Sequence, residues 1–167
     1  MTVQVEEVIN QMKKKLADNN QVLEVNENGI VFKATCTFNS PASDEQILAF
    51  EEKTGLLLPD DYKAFLKITN GCRLFDHVEL GGENDIYSLE DIINYTYEED
   101  YEGCYKVACI YQDNIVIHGK DVSNGKQDYI MVKGHIDDFE ESKPLHMSFS
   151  EWLEQFISRE GIKFWDK

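Results

Sequence analysis

A run of carboxylates and phenols is the part of this sequence best suited to chemistry. Between Leu74 and Tyr105 there are ten acidic residues and no lysine or arginine. The acids are Asp76, Glu79, Glu83, Asp85, Glu90, Asp91, Glu98, Glu99, Asp100 and Glu102, and the tyrosines among them are Tyr87, Tyr95, Tyr97, Tyr101 and Tyr105. Tyrosine supplies a large, stiff contact area with a polar tip, and aromatic residues are enriched at interface centres. The segment therefore predicts a surface that binds a basic protein.

Eight residues of this segment form the predicted acidic surface. They are Glu83, Asp85, Tyr97, Glu98, Glu99, Asp100, Tyr101 and Glu102. Charge on such a surface acts mainly on the association rate and its salt dependence, whereas a buried tyrosine acts mainly on dissociation. The alternative interpretation is a solvated loop whose tyrosines pack beneath it, and the sequence leaves both open.

The sequence offers no pattern typical of catalysis or of metal binding. It has no G-x-x-x-x-G-K-[ST], G-x-G-x-x-G, H-E-x-x-H or G-x-S-x-G motif. None of the four histidines has a cysteine or second histidine at ligand spacing, and His135 with Asp137 and Asp138 is more typical of a solvated turn. The four cysteines include no C-x-x-C pair. We therefore predict a protein that is not an enzyme, with no catalytic residues, no cofactor and no bound metal.

The charge balance restricts the partners further. With 32 acidic and 16 basic residues the net charge is −16, which repels phosphate backbones and anionic headgroups. Direct binding to nucleic acid or to a membrane is therefore not expected, and a cationic protein partner is favoured. The simpler alternative is that the acidity serves solubility alone. Because the first residues lack the apolar core of a signal peptide, the sequence predicts a cytoplasmic protein whose cysteines are reduced.

Periodicity and turn chemistry predict the elements that position these residues. The predicted helices are 5–16, 43–55, 59–71, 88–95 and 148–157. The predicted strands are 22–25, 30–38, 105–111, 114–118 and 129–133, with turns at Asn28-Gly29, Asp113-Asn114 and Ser123-Asn124-Gly125. Ser43 with Gln46, and Ser148 with Glu151, have the spacing of capping boxes. This pattern predicts an α+β fold.

No internal repeat, low-complexity tract or linker divides the chain, which predicts one domain over 1–167. Within it we distinguish an N-terminal helix and hairpin extension, 1–40, from a core, 42–158.

The segment 42–72 carries a family resemblance. Gly55, Leu58, Pro59 and Tyr62 form the link "G-x-x-L-P-x-x-Y" between two helices, and Phe65-Leu66 and Thr69-Asn70-Gly71 follow in order. In this order and spacing the segment resembles the SUKH superfamily, which includes fungal cell-wall-synthesis regulators of the Smi/Knr type and many bacterial immunity proteins. Weaker resemblance continues through 86–92, the strand region to Val132, and 148–153.

The resemblance implies a central antiparallel sheet flanked by helices, the SUKH (Smi/Knr-like) fold, with no catalytic residues to transfer. For bacterial members it implies immunity proteins that bind toxins, commonly nucleases. The function predicted first is therefore a non-catalytic immunity protein that neutralises a basic toxin domain by direct binding. The alternatives are a regulatory scaffold that links signalling to cell-wall assembly and, more distantly, a hydrolase of a small cationic substrate.

Overall fold

A computed structural model of the chain describes residues 4–96 and 100–166. Within these residues one sheet is flanked by helices. The strands are β1 (Leu23–Glu27), β2 (Ile30–Phe38), β3 (Cys72–His77), β4 (Asn84–Ile86), β5 (Tyr105–Ile110), β6 (Asp113–Ile117), β7 (Ile130–Gly134) and β8 (Lys143–Pro144). The helices are α1 (Val5–Asp18), α2 (Asp44–Thr54), α3 (Asp60–Ile68), α4 (Leu89–Tyr95), α5 (Gly119–Ser123) and α6 (Phe149–Ser158), with one 3-10 turn at Phe139–Glu141. The predicted α+β class is confirmed.

The strands lie in the sheet in the order in which they occur along the chain. Every neighbouring pair from β1 to β8 is antiparallel, with Leu23 opposite Ala34 at one side and Ile115 opposite Val132 nearer the other. The turn between β1 and β2 falls at Asn28-Gly29, as predicted, and both residues have positive φ. Because β2 pairs with β3, the N-terminal hairpin belongs to the same sheet as the later strands.

The largest part of the core lies between the sheet and a layer in which α1, α3 and α6 contact one another. The predicted apolar face of α3, formed by Tyr62, Phe65 and Leu66, is fully buried. From α6, Phe149 packs edge-on against Tyr62 at 4.7 Å and against Phe65 at 5.3 Å between ring centroids. The aromatic centre of the core is therefore formed by α3 together with α6.

Capping explains where these helices begin and end. Both predicted capping boxes are confirmed, since the Ser43 and Ser148 side chains accept from the backbone N–H groups of Gln46 and Glu151. The helix α2 ends at Gly55, whose φ of 74° is the left-handed conformation that glycine adopts easily. Pro59 stands just before the first helical residue of α3, where its missing N–H costs nothing.

The turn between β5 and β6 differs from the prediction. It falls at Tyr111-Gln112, with φ of 41° and 72°, so Asp113 and Asn114 belong to β6 instead of forming the turn. Positive φ at both central residues gives the twist that a tight hairpin requires. The usual glycine or asparagine signal is absent, which is why the sequence misplaced this turn.

The structure differs from the prediction at one helix end, and it contains elements that were not predicted. Thr69 is extended, so α3 ends at Ile68. The predicted turn is present at Asn124-Gly125, but it directly follows the short helix α5, which the sequence did not predict. The strands β3, β4 and β8 were missed, because β4 and β8 are very short and β3 carries charged residues.

Candidate partner-binding surface

The fold divides the predicted acidic surface into two groups. The described members are Glu83 and Asp85 at β4, and Asp100, Tyr101 and Glu102 before β5, while Tyr97, Glu98 and Glu99 lie outside the described residues. Asp85 is opposite Cys109 in the sheet, whereas Glu102 comes before the first residue of β5, Tyr105. At about 3.3 Å per residue, at least about 13 Å of strand separates the groups. They do not form one contiguous patch.

In the first group, Asp85 is paired with a base from the next strand. Arg73 lies directly opposite it in β3, and its Nε and Nη2 atoms donate to the two carboxylate oxygens of Asp85 at 2.8 and 3.3 Å. This hydrogen bond raises the pKa of the Arg73 guanidinium. Arg73 also lies 4.0 Å from Asp76. Much of the negative charge near Asp85 is therefore compensated, and the exposed Glu83 is the freer of the two acids.

In the second group, Glu102 belongs to a charged network centred on His118. The His118 Nε2 atom is 2.5 Å from Glu102, and its Nδ1 atom is 2.8 Å from Asp121. Lys120 lies 3.7 Å from Glu102, and Lys126 lies 3.3 Å from Asp121. The hydrogen bond with His118 is the main reason why the pKa of Glu102 is lowered. Glu102 therefore stays ionised and held in place.

The backbone around Glu102 is fixed as well. The Asp100 side chain accepts from the N–H of Gly103 at 3.2 Å, and the carbonyl of Glu102 accepts from the N–H of Lys120 at 2.9 Å. A Cβ atom on Gly119 would lie 2.3 Å from the carbonyl oxygen of Gly103, so only glycine permits this close approach. The turn at 100–103 is thus attached to the beginning of α5.

Most tyrosines of the described segment are not free to contact a partner. Tyr87 and Tyr105 are buried, and the Tyr105 hydroxyl donates to the carbonyl of Leu57 at 2.7 Å. Tyr101 is half-buried against a small apolar cluster on the opposite face of the sheet from the main core. Tyr95 is 48% exposed, although its ring lies 5.1 Å from that of Tyr87. The alternative of tyrosines packed beneath the loop holds for Tyr87 and Tyr105.

The sequence reasoning missed the bases that meet these acids. Arg73 lies twelve positions from Asp85, and His118 lies sixteen positions from Glu102. No local spacing rule covers such distances, because only the strand pairing brings the residues together. A scan for bases within the segment therefore overestimated its uncompensated charge.

A cleft with a volume of about 640 Å³ lies elsewhere, where α3 and α6 begin. The Tyr129 hydroxyl donates to Asp61 and accepts from the N–H of Phe149 at 3.1 Å. The other oxygen of Asp61 accepts from the N–H of Ser150 at 2.9 Å. Burial, followed by the charge of Asp61, raises the pKa of the Tyr129 hydroxyl, which stays protonated. These bonds join the beginnings of two helices, which is a structural role.

In the described part of the chain, no group of three or more histidine, cysteine, aspartate or glutamate side chains is placed to hold a metal ion. The four cysteines are free, and burial raises the pKa of each thiol, that of Cys104 to about 12. Within 4–96 and 100–166, no helix combines the length and the apolar character needed to cross a membrane.

Comparisons with known proteins identify relatives across most of the chain. The model of the SMI1 / KNR4 family (SUKH-1) matches residues 41–155. The uncharacterized protein YnaB of Bacillus subtilis is 35% identical over 134 residues, which cover 80% of this chain and 88% of YnaB. The uncharacterized protein YobM of the same organism is 27% identical over 175 residues, which cover 99% of this chain and 93% of YobM.

Proposed function

Because this chain belongs to the SMI1/KNR4 (SUKH-1) family, we propose that it is a non-catalytic immunity protein that neutralises a basic toxin domain by direct binding. The observation that carries the proposal is the acidic turn at 100–103, which is exposed at Asp100 and Glu102 and attached to α5 through His118. A charged turn that is already ordered loses little conformational entropy when a partner binds. The net charge of −16 supports a cationic partner.

The partner is sought first among the products of neighbouring genes, where a large secreted toxin encoded immediately upstream supports immunity and an isolated gene supports regulation. Protection is then measured as survival of cells that express the toxin domain with and without this protein. Binding kinetics at two salt concentrations report how the surface contributes, because charges steer association and salt screens them.

The test variant removes four negative charges at once, through the substitutions Glu83→Gln, Glu98→Gln, Glu99→Gln and Asp100→Asn. Glu102 and Asp85 are kept, because their pairs with His118 and Arg73 are structural. We expect association to slow by about tenfold at low salt and its salt dependence to flatten, with dissociation less affected.

The matched control variant carries four equal charge changes on exposed acids of α1, β1 and α6: Glu6→Gln, Asp18→Asn, Glu24→Gln and Glu154→Gln. It should associate at a rate closer to that of the wild type. If the two variants bind and protect equally well, the binding surface lies outside the acidic segment. If a neighbouring toxin is neither bound nor neutralised by the wild type, the immunity function itself is wrong.

A further inference from the structure

A second pocket, of about 320 Å³, is lined by β1, β4, the turn between β5 and β6, and the residues after α6. Its deepest lining residues are Val25, Phe75 and Asn84, which are 1%, 2% and 2% exposed. Phe32 and Tyr111 also line it and are more accessible. Side chains alternate across a strand, so Asn84 points to the opposite face of the sheet from Glu83 and Asp85. The pocket is therefore separate from the acidic surface already described.

The amide of Asn84 is the unexplained group in this pocket. Its Oδ1 atom is buried and has no hydrogen-bond partner among the described residues. Buried side-chain oxygens in folded proteins are nearly always satisfied by protein, by water or by a ligand. An unpaired carbonyl oxygen in a pocket of this size indicates that a donor group from outside the protein belongs there.

Charge at the entrance favours a cationic donor. Glu27 and Asp166 are exposed and Glu160 is half-buried, and all three line the pocket. The one base in the lining, Lys163, is already engaged, since its Nζ atom donates to the Tyr111 carbonyl at 2.8 Å and lies 3.1 Å from Asp113. The carboxylates are thus left without a compensating base from the lining.

The aromatic residues restrict the shape of that donor. Phe32 is stacked on His77 at 4.8 Å with an interplanar angle of 10°, and Phe75 lies edge-on to Phe156, so both rings are held in place. Burial raises the pKa of the Tyr111 hydroxyl, and the charges of Glu27, Asp76 and Glu83 raise it further. The potential beside Tyr111 is therefore negative. Flat aromatic surfaces in a negative potential suit a planar cation.

The C-terminal residues complete the pocket and are fixed to the sheet. The Trp165 indole N–H donates to Asp113 at 3.0 Å, and its ring packs against Trp152 and Phe156. Gly161 has a φ of 87°, and a Cβ atom there would lie 2.9 Å from the Phe75 ring. The pocket is thus formed by packed elements and not by a loose tail.

We propose that this pocket binds a guanidinium group, presented by an arginine side chain of a protein partner. The guanidinium offers five N–H donors in one plane, which can serve the side-chain oxygen of Asn84 and the carboxylates while its face lies on the accessible rings of Phe32 and Tyr111. An ammonium group on a lysine is a compact point charge and cannot stack in this way. The statement that the arginine belongs to a partner protein rests on the proposed function. The binding of a guanidinium group by the pocket does not depend on it.

The test uses small probes and the full-length protein, so it needs no partner. N-acetyl-arginine amide is titrated into isotope-labelled protein, with neutral N-acetyl-citrulline amide and N-acetyl-lysine amide as controls. We expect saturable shifts at the Asn84 side-chain amide and at Tyr111, with a dissociation constant of about 1 mM for so small a ligand. Absence of saturable shifts, or equal binding of either control probe, overturns the proposal.

Two variants locate the site. Asn84→Ala should abolish the saturable shifts, and the exposed pair Glu27→Gln with Asp166→Asn should weaken binding by about fivefold. If near-UV circular dichroism shows that Asn84→Ala does not fold, the variant Glu27→Gln with Asp166→Asn alone tests the position of the site. A matched pair on α2, Glu45→Gln with Glu52→Gln, should bind the probe as the wild type does. If both pairs bind it equally, the pocket is not the site.

The two proposals can fail separately. Survival of cells that express the toxin tests neutralisation and does not depend on the probe titration. If the protein binds N-acetyl-arginine amide but protects against no toxin, the proposed pocket stands and the proposed immunity function is wrong. If the protein protects cells but does not bind the probe, only the proposed guanidinium pocket is wrong.

Discussion

At the scale of single residues, Phe65 shows how strongly the core depends on the aromatic centre. Its ring is fully buried, 5.5 Å from Tyr62 and 5.3 Å from Phe149. Truncation to alanine removes these contacts and leaves a cavity that packed neighbours fill only in part. We expect Phe65→Ala to lower the free energy of unfolding by about 3–5 kcal/mol, measured by denaturant titration.

The control for this prediction is Leu48→Ala on α2, whose side chain is 57% exposed. It should change the free energy of unfolding by less than about 0.5 kcal/mol. A loss under about 1 kcal/mol for Phe65→Ala would show that Phe65 is not a core residue in solution.

A second residue-scale prediction concerns His118 and acid stability. The hydrogen bond with His118 lowers the pKa of Glu102. Burial alone would raise the pKa of Asp121. The hydrogen bonds and charges of His118 and Lys126 outweigh burial, so the pKa of Asp121 is lowered too. A carboxyl group whose pKa is lower in the folded state stabilises the fold above its unfolded pKa, about 4. This contribution is lost as the pH falls through the folded value.

We therefore expect His118→Gln to raise the pKa of both carboxyl groups and to move acid unfolding to higher pH. Carboxyl carbon NMR titration measures the first effect, and circular dichroism as a function of pH measures the second. The exposed His135→Gln should leave Glu102 and Asp121 unchanged. Identical titration curves in the wild type and His118→Gln would mean that the network does not exist in solution.

At the scale of elements, the β5–β6 hairpin carries backbone strain in its turn. Gln112 has a φ of 72°, which costs an L-residue about 1 kcal/mol or more that glycine avoids. Gln112→Gly should therefore raise the free energy of unfolding, by up to about 1 kcal/mol. Thermal and denaturant unfolding of the variant check this expectation.

The β1–β2 hairpin supplies the reverse control. Gly29 has a φ of 85° with open space around it, so Gly29→Ala changes only the conformational preference. It should destabilise the protein while Gln112→Gly stabilises it. A loss of stability in Gln112→Gly would indicate that the glutamine side chain makes contacts that outweigh its strain.

At this scale, the sequence predicted the features that depend on neighbouring residues. The capping boxes at Ser43 and Ser148, the Asn28-Gly29 turn and the apolar face of α3 each depend on residues within a few positions of one another. The strand β4 has only three residues and no periodicity to read. Its existence depends on pairing with β3 and β5, which a local pattern does not contain.

The candidate site follows the same division. The acidic composition of the segment was evident from the sequence, and Glu83, Asp100 and Glu102 are exposed as expected. The bonds of Asp85 with Arg73 and of Glu102 with His118 were not predictable, because strand register sets them. The pocket at Asn84 combines β1, β4 and the residues after α6, so no single stretch of sequence reveals it.

At the scale of the whole molecule, the layer of helices and the sheet are connected differently. Each strand pairs with the strand that precedes or follows it in the chain. By contrast, α1 and α6 come from the two ends of the described chain, and both contact α3. Strands joined by a short turn, such as β1 with β2 and β5 with β6, pair quickly, whereas contacts between distant segments form slowly.

The strand order has a consequence for synthesis on the ribosome. Each strand can pair as soon as it emerges, but the aromatic centre has no cover until α6 has left the exit tunnel. A nascent chain that ends before residue 148 holds every described strand and still exposes the surface that Phe149, Trp152 and Phe156 bury.

We expect the isolated fragment 1–147 to bind a hydrophobic dye and to unfold without cooperativity. Addition of a peptide of residues 148–167 should restore near-UV circular dichroism and cooperative unfolding. A peptide with Trp152→Ala and Phe156→Ala should not. If the fragment alone unfolds cooperatively and excludes the dye, residues 1–147 fold without α6. In that case α6 packs onto a core that is already formed.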